Sequence, residues 1–166
     1  MLEYWDLYNK DKQKINKIHK RGDKINPGEY NIIVSGWIIN DDNKILLTQR
    51  HPNKTFPLTW ECSKGALISG EDSLTGVLRE VEEEIGIKVR IENCELVDTY
   101  IGNDFIKDVY IIKEDIDINT TKLQPNEVVN IKWATIDEFN EMEKEGKIGP
   151  TALYDMKKIK EKYDWK

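Results

Sequence analysis

Residues 65 to 87 read GALISGEDSLTGVLREVEEEIGI, and no other stretch of the chain restricts its fold as tightly. Leu74, Val77, Leu78, Val81 and Ile85 recur at i, i+3, i+4, i+7 and i+11, which places them on one stripe of a helix. Glu80, Glu83 and Glu84 stand three or four residues apart and are expected to converge on another face. Such a helix has to bury its apolar stripe against a second layer while its carboxylates look into a cleft. Like charges at this spacing cost roughly 0.2–0.5 kcal/mol per pair, so something must offset them. A divalent cation would do so, and oxygen ligands suit magnesium, manganese or calcium better than zinc or copper. The same spacing also fits a solvated acidic face on an ordinary amphipathic helix.

At 166 residues the chain is long enough for a sizeable core, and residues 1–166 read as a single domain. The net charge of −6 and the absence of a long apolar run support neither a membrane span nor a secretory signal, so the cytoplasm is the expected compartment. Cys62 and Cys94 are too few for a disulfide framework or a zinc cluster and read as small buried residues. The acidic balance weighs against a broad nucleic-acid surface. One local exception is the basic run Lys10, Lys12, Lys14, Lys17, Lys20, Arg21 and Lys24, which reads as a solvated hairpin or as an attractor for an anionic ligand or partner.

Along the chain, residues 1–29 read as a short edge strand over Tyr4 to Tyr8 followed by the lysine-rich turn, with Pro27-Gly28 as punctuation. Tyr30 to Ile39 and Lys44 to Arg50 are predicted to pair as a hairpin around Asn40-Asp41-Asp42-Asn43. His51 to Trp60, with Pro52 and Pro57, is a loop leading to Glu61 and Cys62. Lys88 to Ile101 and Phe105 to Glu114 read as a second antiparallel pair, Ile116 to Asn126 as a surface loop, and Val128 to Ala134 as a further strand. Residues 135–166 carry the last helices. Thr135 and Glu138 form a capping box for one that breaks at Gly146, and Thr151 to Tyr163 forms the other. Strands interleaved with helices and hairpins predict an α/β fold with a mixed sheet covered by helices.

Gly65, Glu71, Arg79, Glu80, Val81, Glu83, Glu84, Gly86 and Ile87 fill all nine defined places of the Nudix box, which this stretch closely resembles. The resemblance implies the Nudix α/β/α sandwich, whose box is a strand-loop-helix unit. It implies that Glu80, Glu83 and Glu84 bind Mg2+ and its activated water, with Mn2+ as a substitute and the Gly65 carbonyl as a further ligand. Arg79 and Glu71 take structural roles, pairing to hold the loop on the helix while Arg79 also orients Glu83. Gly86 suits the left-handed residue that ends a helix, and Gly65 a tight turn. The implied reaction is hydrolysis of the diphosphate linkage in a nucleoside diphosphate joined to another group X, a small-molecule substrate. Arg50, at a strand end, and Lys64, before the box glycine, are the candidate phosphate-binding residues. Glu127 matches a place where relatives supply another carboxylate as ligand or base. Trp37, Phe56, Trp60, Tyr100 and Trp133 are candidates to stack a ring, although aromatic residues in strands are more often core. A homodimer stays open.

Among the alternatives, Glu3-Tyr4-Trp5-Asp6 and the segment through Trp60 resemble isopentenyl-diphosphate isomerase. That enzyme needs a cysteine where this chain has Lys64 and histidines around its metal, whereas His19 and His51 are the only two here. A non-catalytic Nudix metabolite sensor usually lacks box carboxylates that this chain retains. Leu46 to Arg50 hints at coenzyme A diphosphate hydrolysis, but the rest of that signature is missing, and the acidic surface weighs against RNA decapping.

Overall fold

The computed structural model describes residues 3–165. In chain order these form β1 (Tyr4–Tyr8), β2 (Lys14–Lys20), β3 (Asn31–Ile39), β4 (Ile45–Arg50), β5 (Trp60–Glu61) and β6 (Ser63–Ala66). The helix α1 (Ser73–Ile85) follows, then β7 (Cys94–Ile101), β8 (Phe105–Lys113), β9 (Val128–Ala134), α2 (Ile136–Lys144) and α3 (Pro150–Tyr163).

The central pair is β3 and β8, parallel from Asn31↔Phe105 to Ile39↔Lys113. Both are buried on two faces: β3 reads as a near-continuous apolar run, and β8 does so apart from the buried pair Lys107 and Asp108 in its middle. Ile32, Val34 and Ile38 with Ile106, Tyr110 and Ile112 face α1, where Val77, Val81 and Ile85 meet them. Trp37, Ile39, Val109 and Ile111 face the other way, onto Phe139 and Met142 of α2 and Ala152, Met156 and Ile159 of α3. The result is a helix–sheet–helix sandwich with a core on each side of a mixed sheet, the α/β class expected.

Several elements differ from the sequence reading. The predicted β3–β4 hairpin closes only at its base, with the single pair Ile39↔Ile45, before the strands part. β4 instead runs antiparallel to β9 from Ile45↔Ala134 to Arg50↔Val128. The chain from Trp60 to Ala66 fills the wedge. It pairs first with β4 at Thr48↔Glu61 and then crosses to β3, from Gly36↔Ser63 to Ile33↔Ala66. The lysine-rich segment is not merely a turn: Lys14–Lys20 is strand β2, antiparallel to β1. Its lysines find carboxylates elsewhere, Lys14 on Asp6 (2.7 Å) and Lys17 on Glu29 (2.7 Å), while Lys12 reaches the fully buried Asp108 (2.5 Å). Strand β7 starts only at Cys94, behind a single tight turn at Ile91–Asn93. Cys62 is buried but Cys94 only half so. Among the described residues no helix is long and apolar enough to cross a membrane.

Candidate active site

Helix α1 is fixed at both ends. The Asp72 carboxylate accepts the Thr75 N–H (2.7 Å), and Gly86 closes the helix at φ 73° with its N–H on the Glu82 carbonyl. The Lys122 and Gln124 N–H groups donate to the Ile85 and Glu84 carbonyls at 2.8 and 2.9 Å. The segment read as a surface loop therefore ties down the end of α1, and it delivers Glu127 to the same place. The His51 N–H on the Glu127 carbonyl (2.8 Å) brings the 51–60 loop alongside.

Gly65 is not the turn glycine that its sequence context suggested. It lies within β6, paired with Val34, and its missing side chain is what matters. A β-carbon there would stand 2.1 Å from the Glu80 carboxylate, which rests directly on the strand backbone. Glu80 is largely buried, and burial first, then the Glu83 and Glu3 charges, raise its pKa despite the opposing pull of Arg79.

Arg79 uses all five guanidinium donors. Its Nε and Nη2 hold Glu71 at 2.6 and 2.9 Å, Nη2 also reaches the Ala66 carbonyl (3.0 Å), and Nη1 bridges Glu80 (2.7 Å) and Glu83 (3.0 Å). Glu71 in turn accepts the Ile68 N–H (3.0 Å), so one ion pair locks the loop onto the helix. The convergence of the three glutamates is thus only partial. Arg79 supplies the positive charge between two of them, and among the described residues no three acidic, histidine or cysteine side chains stand together as a metal cage.

Glu84 is different. It is buried, and its Oε2 has no hydrogen-bond partner. Burial, then the Glu80 and Glu61 charges, push its carboxyl well above the usual range. A buried, unpartnered carboxylate oxygen costs stability unless a cation completes it. Together with the all-oxygen chemistry of its neighbours, this oxygen makes the residues fit a hard divalent ion that would take over the contacts of Arg79 Nη1 with Glu80 and Glu83.

Glu80, Glu83, Glu84, Gly65, Arg79, Lys64 and Glu127 all line one cavity of about 260 Å³. Glu3, Arg21, Lys54 and Gln124 complete its polar wall. Sequence reasoning missed these four and also Glu61, which is buried next to the cavity between Arg50 (2.5 Å) and Lys64 (2.5 Å). Only the basic run hinted at one of them, Arg21. Lys64 also donates to the Thr151 hydroxyl (2.8 Å), and Lys54 pairs with Glu127. Arg50 is not in the cavity wall, being taken up by Glu61 and by the Thr55 carbonyl (2.7 Å). None of the five candidate aromatic residues lines the cavity. Trp37 and Tyr100 bind Asp155 in or beside the core, Trp133 donates to the Ile116 carbonyl, Trp60 lies under Lys132, and Phe56 is exposed on the outer loop. Cys62 is sealed in the core and burial pushes its thiol well up, which rules it out as a nucleophile. A larger groove of about 640 Å³, between α2 and α3, lies away from all of these groups.

The NUDIX domain family model matches residues 29–154. An uncharacterised Nudix hydrolase of Listeria innocua is 29% identical over 151 residues, spanning 90% of this chain and 89% of its own length. Among solved structures, a Deinococcus radiodurans protein superposes with a TM-score of 0.75 at 20% identity, covering 93% of this chain and 98% of that one. The NUDIX domain of Shewanella oneidensis NrtR, crystallised with ADP ribose, gives 0.65 at 18% identity over 81% of this chain and 88% of its own. With the box on its strand, loop and helix and the family match spanning most of its length, the chain belongs to the Nudix hydrolases, enzymes that cleave diphosphate linkages.

Proposed function

We propose that this protein hydrolyses, with Mg2+, the diphosphate linkage of a nucleoside diphosphate joined to a further group, and that residues 1–166 act as one domain. The observation that carries the reading is the cavity itself. Carboxylates Glu80, Glu83, Glu84 and Glu127 share its wall with the cations Lys54 and Lys64, and one oxygen of Glu84 is buried and unpartnered. A bound divalent cation supplies neutralisation of phosphate charge and acidification of a water, the two things that displacement at phosphorus requires most. Glu80, Glu83 and Glu84 would hold it, with the Gly65 carbonyl and Glu127 completing the oxygen set.

Lys54 and Lys64 orient the phosphates. Arg50 serves indirectly, because it binds Glu61, which in turn positions Lys64. Arg79 keeps the loop on the helix through Glu71 whether or not Nη1 is engaged. The ADP ribose bound by the Shewanella domain is a compound of the proposed class, which supports a nucleotide-type substrate.

The test is a panel of nucleoside triphosphates, oxidised nucleotides, ADP-ribose, dinucleoside polyphosphates and isopentenyl diphosphate, assayed with magnesium and with chelator. Release of a nucleoside monophosphate from at least one nucleoside diphosphate conjugate, abolished by chelator, is expected. Turnover of none of them would overturn the reading.

A further inference from the structure

The cavity has a wall that the family match does not include. Glu3 and Arg21 line it, and both belong to the β1–β2 hairpin, ahead of the matched residues 29–154. The hairpin is not a loose arm. Asp6 accepts from the Ser69 hydroxyl (2.9 Å) and the Gly70 N–H (2.8 Å), and the Ser69 N–H donates to the Tyr4 carbonyl (2.8 Å). These three bonds fasten β1 to the loop that precedes α1, while the Arg21 N–H on the Glu3 carbonyl (3.0 Å) fixes the backbone that carries the two side chains.

We propose that Arg21 is a substrate-binding residue of the diphosphate site, held by Glu3 in the free enzyme and transferred to a phosphate oxygen when substrate enters. The argument rests on exposure and exchange. Lys64 is tied to a buried glutamate, its side chain 20% exposed, and a partner given up there would leave a buried charge unpaired. Arg21 is 53% exposed and its Glu3 partner 40%, at 2.5 Å. An exposed pair of this kind is worth little, about 0–1 kcal/mol, so its guanidinium changes partner at small cost. A guanidinium also grips phosphate through two parallel N–H bonds, which an ammonium cannot do. Arg21 is therefore the cavity cation most easily recruited by an incoming anion, and the hairpin is a working wall of the site.

This assignment builds on the diphosphatase reading, so its test is an equilibrium one that needs no turnover. Calorimetric binding of imidodiphosphate with magnesium is measured for the wild type, Arg21→Gln, Arg21→Lys and Glu3→Gln, with melting temperatures taken alongside. Arg21→Gln is expected to bind about tenfold more weakly at an unchanged melting temperature, with Arg21→Lys in between. Glu3→Gln is expected to bind several-fold more tightly, because it releases the arginine. If the pair were only a latch on the hairpin, Glu3→Gln would weaken binding as Arg21→Gln does, and that result overturns the proposal. So does an Arg21→Gln affinity equal to the wild type, or a wild type that binds no imidodiphosphate. Should the wild type bind the probe through Arg21 yet hydrolyse nothing in the substrate panel, the diphosphatase reading falls and the Arg21 assignment stands.

Discussion

Glu84 is carried by its helix into a place where a carboxylate has little reason to be unless it works. The Glu84→Gln variant separates that cost from its use. The amide is neutral, so it escapes the burial penalty of the charged group. Activity against the best substrate is expected to fall about 100-fold or more, a loss comparable to removing one preorganised electrostatic group from an active site. The melting temperature in chelator should hold or rise. Arg79 gives a second test, because all five of its donors are engaged and a lysine has only three, without the planar fork. Arg79→Lys should lose about 1–3 kcal/mol in urea unfolding as Glu71, Glu80 or the Ala66 carbonyl goes without its partner. Activity should drop with it, since the loop is no longer locked on the helix.

The attachment of the β1–β2 hairpin is sensitive to acid, because it runs through Asp6. Burial works to raise the Asp6 pKa, but the bonds from Lys14, Gly70 and Ser69 outweigh it and leave the carboxyl below its ordinary value. A carboxylate depressed in this way stabilises the fold above its unfolded pKa of about 3.9 and loses that contribution as pH falls through the folded value. Asp6→Asn is expected to unfold about 1–3 kcal/mol more easily than wild type at pH 7. Thermal melts taken from pH 3 to 7 should show the two proteins converging at the acid end. Elements with a local signature were legible from the residues: α1 from its apolar stripe, α2 from the Thr135–Glu138 box, β7 and β8 from the turn between them. Those that depend on distant partners were not. Strand β2 looks like a solvated lysine run because the carboxylates that settle it include Asp6 and Asp108, from other strands. The parting of β3 from β4 is equally hidden, since what draws β4 away is β9, some eighty residues on. The candidate site divides in the same way: the box glutamates that line the cavity were readable, whereas Lys54 and Glu3 reach its wall, and Glu61 the place beside it, through tertiary structure alone.

At the scale of the whole molecule, the sheet keeps two cores apart, one under α1 and one closed by α2 and α3, and the site sits on α1 while reaching α3 through the Lys64–Thr151 bond. Binding of an ion at the glutamates should therefore register as stabilisation of the entire fold. By linkage, a magnesium concentration about 100 times its dissociation constant adds about 2.7 kcal/mol, or about 8 °C for a chain of this size. Differential scanning calorimetry with and without the ion should show that rise in the wild type, and none in Glu84→Gln. The guanidinium lodged between Glu80 and Glu83 adds a further consequence. A polypeptide that brings its own counter-charge does not depend on one from solution to relieve the repulsion between these carboxylates. An arriving ion meets a tenant rather than bare repulsion and gains only the difference between two occupants. An ion held there would bind less tightly than one meeting uncompensated carboxylates, so its occupancy would follow the supply of magnesium.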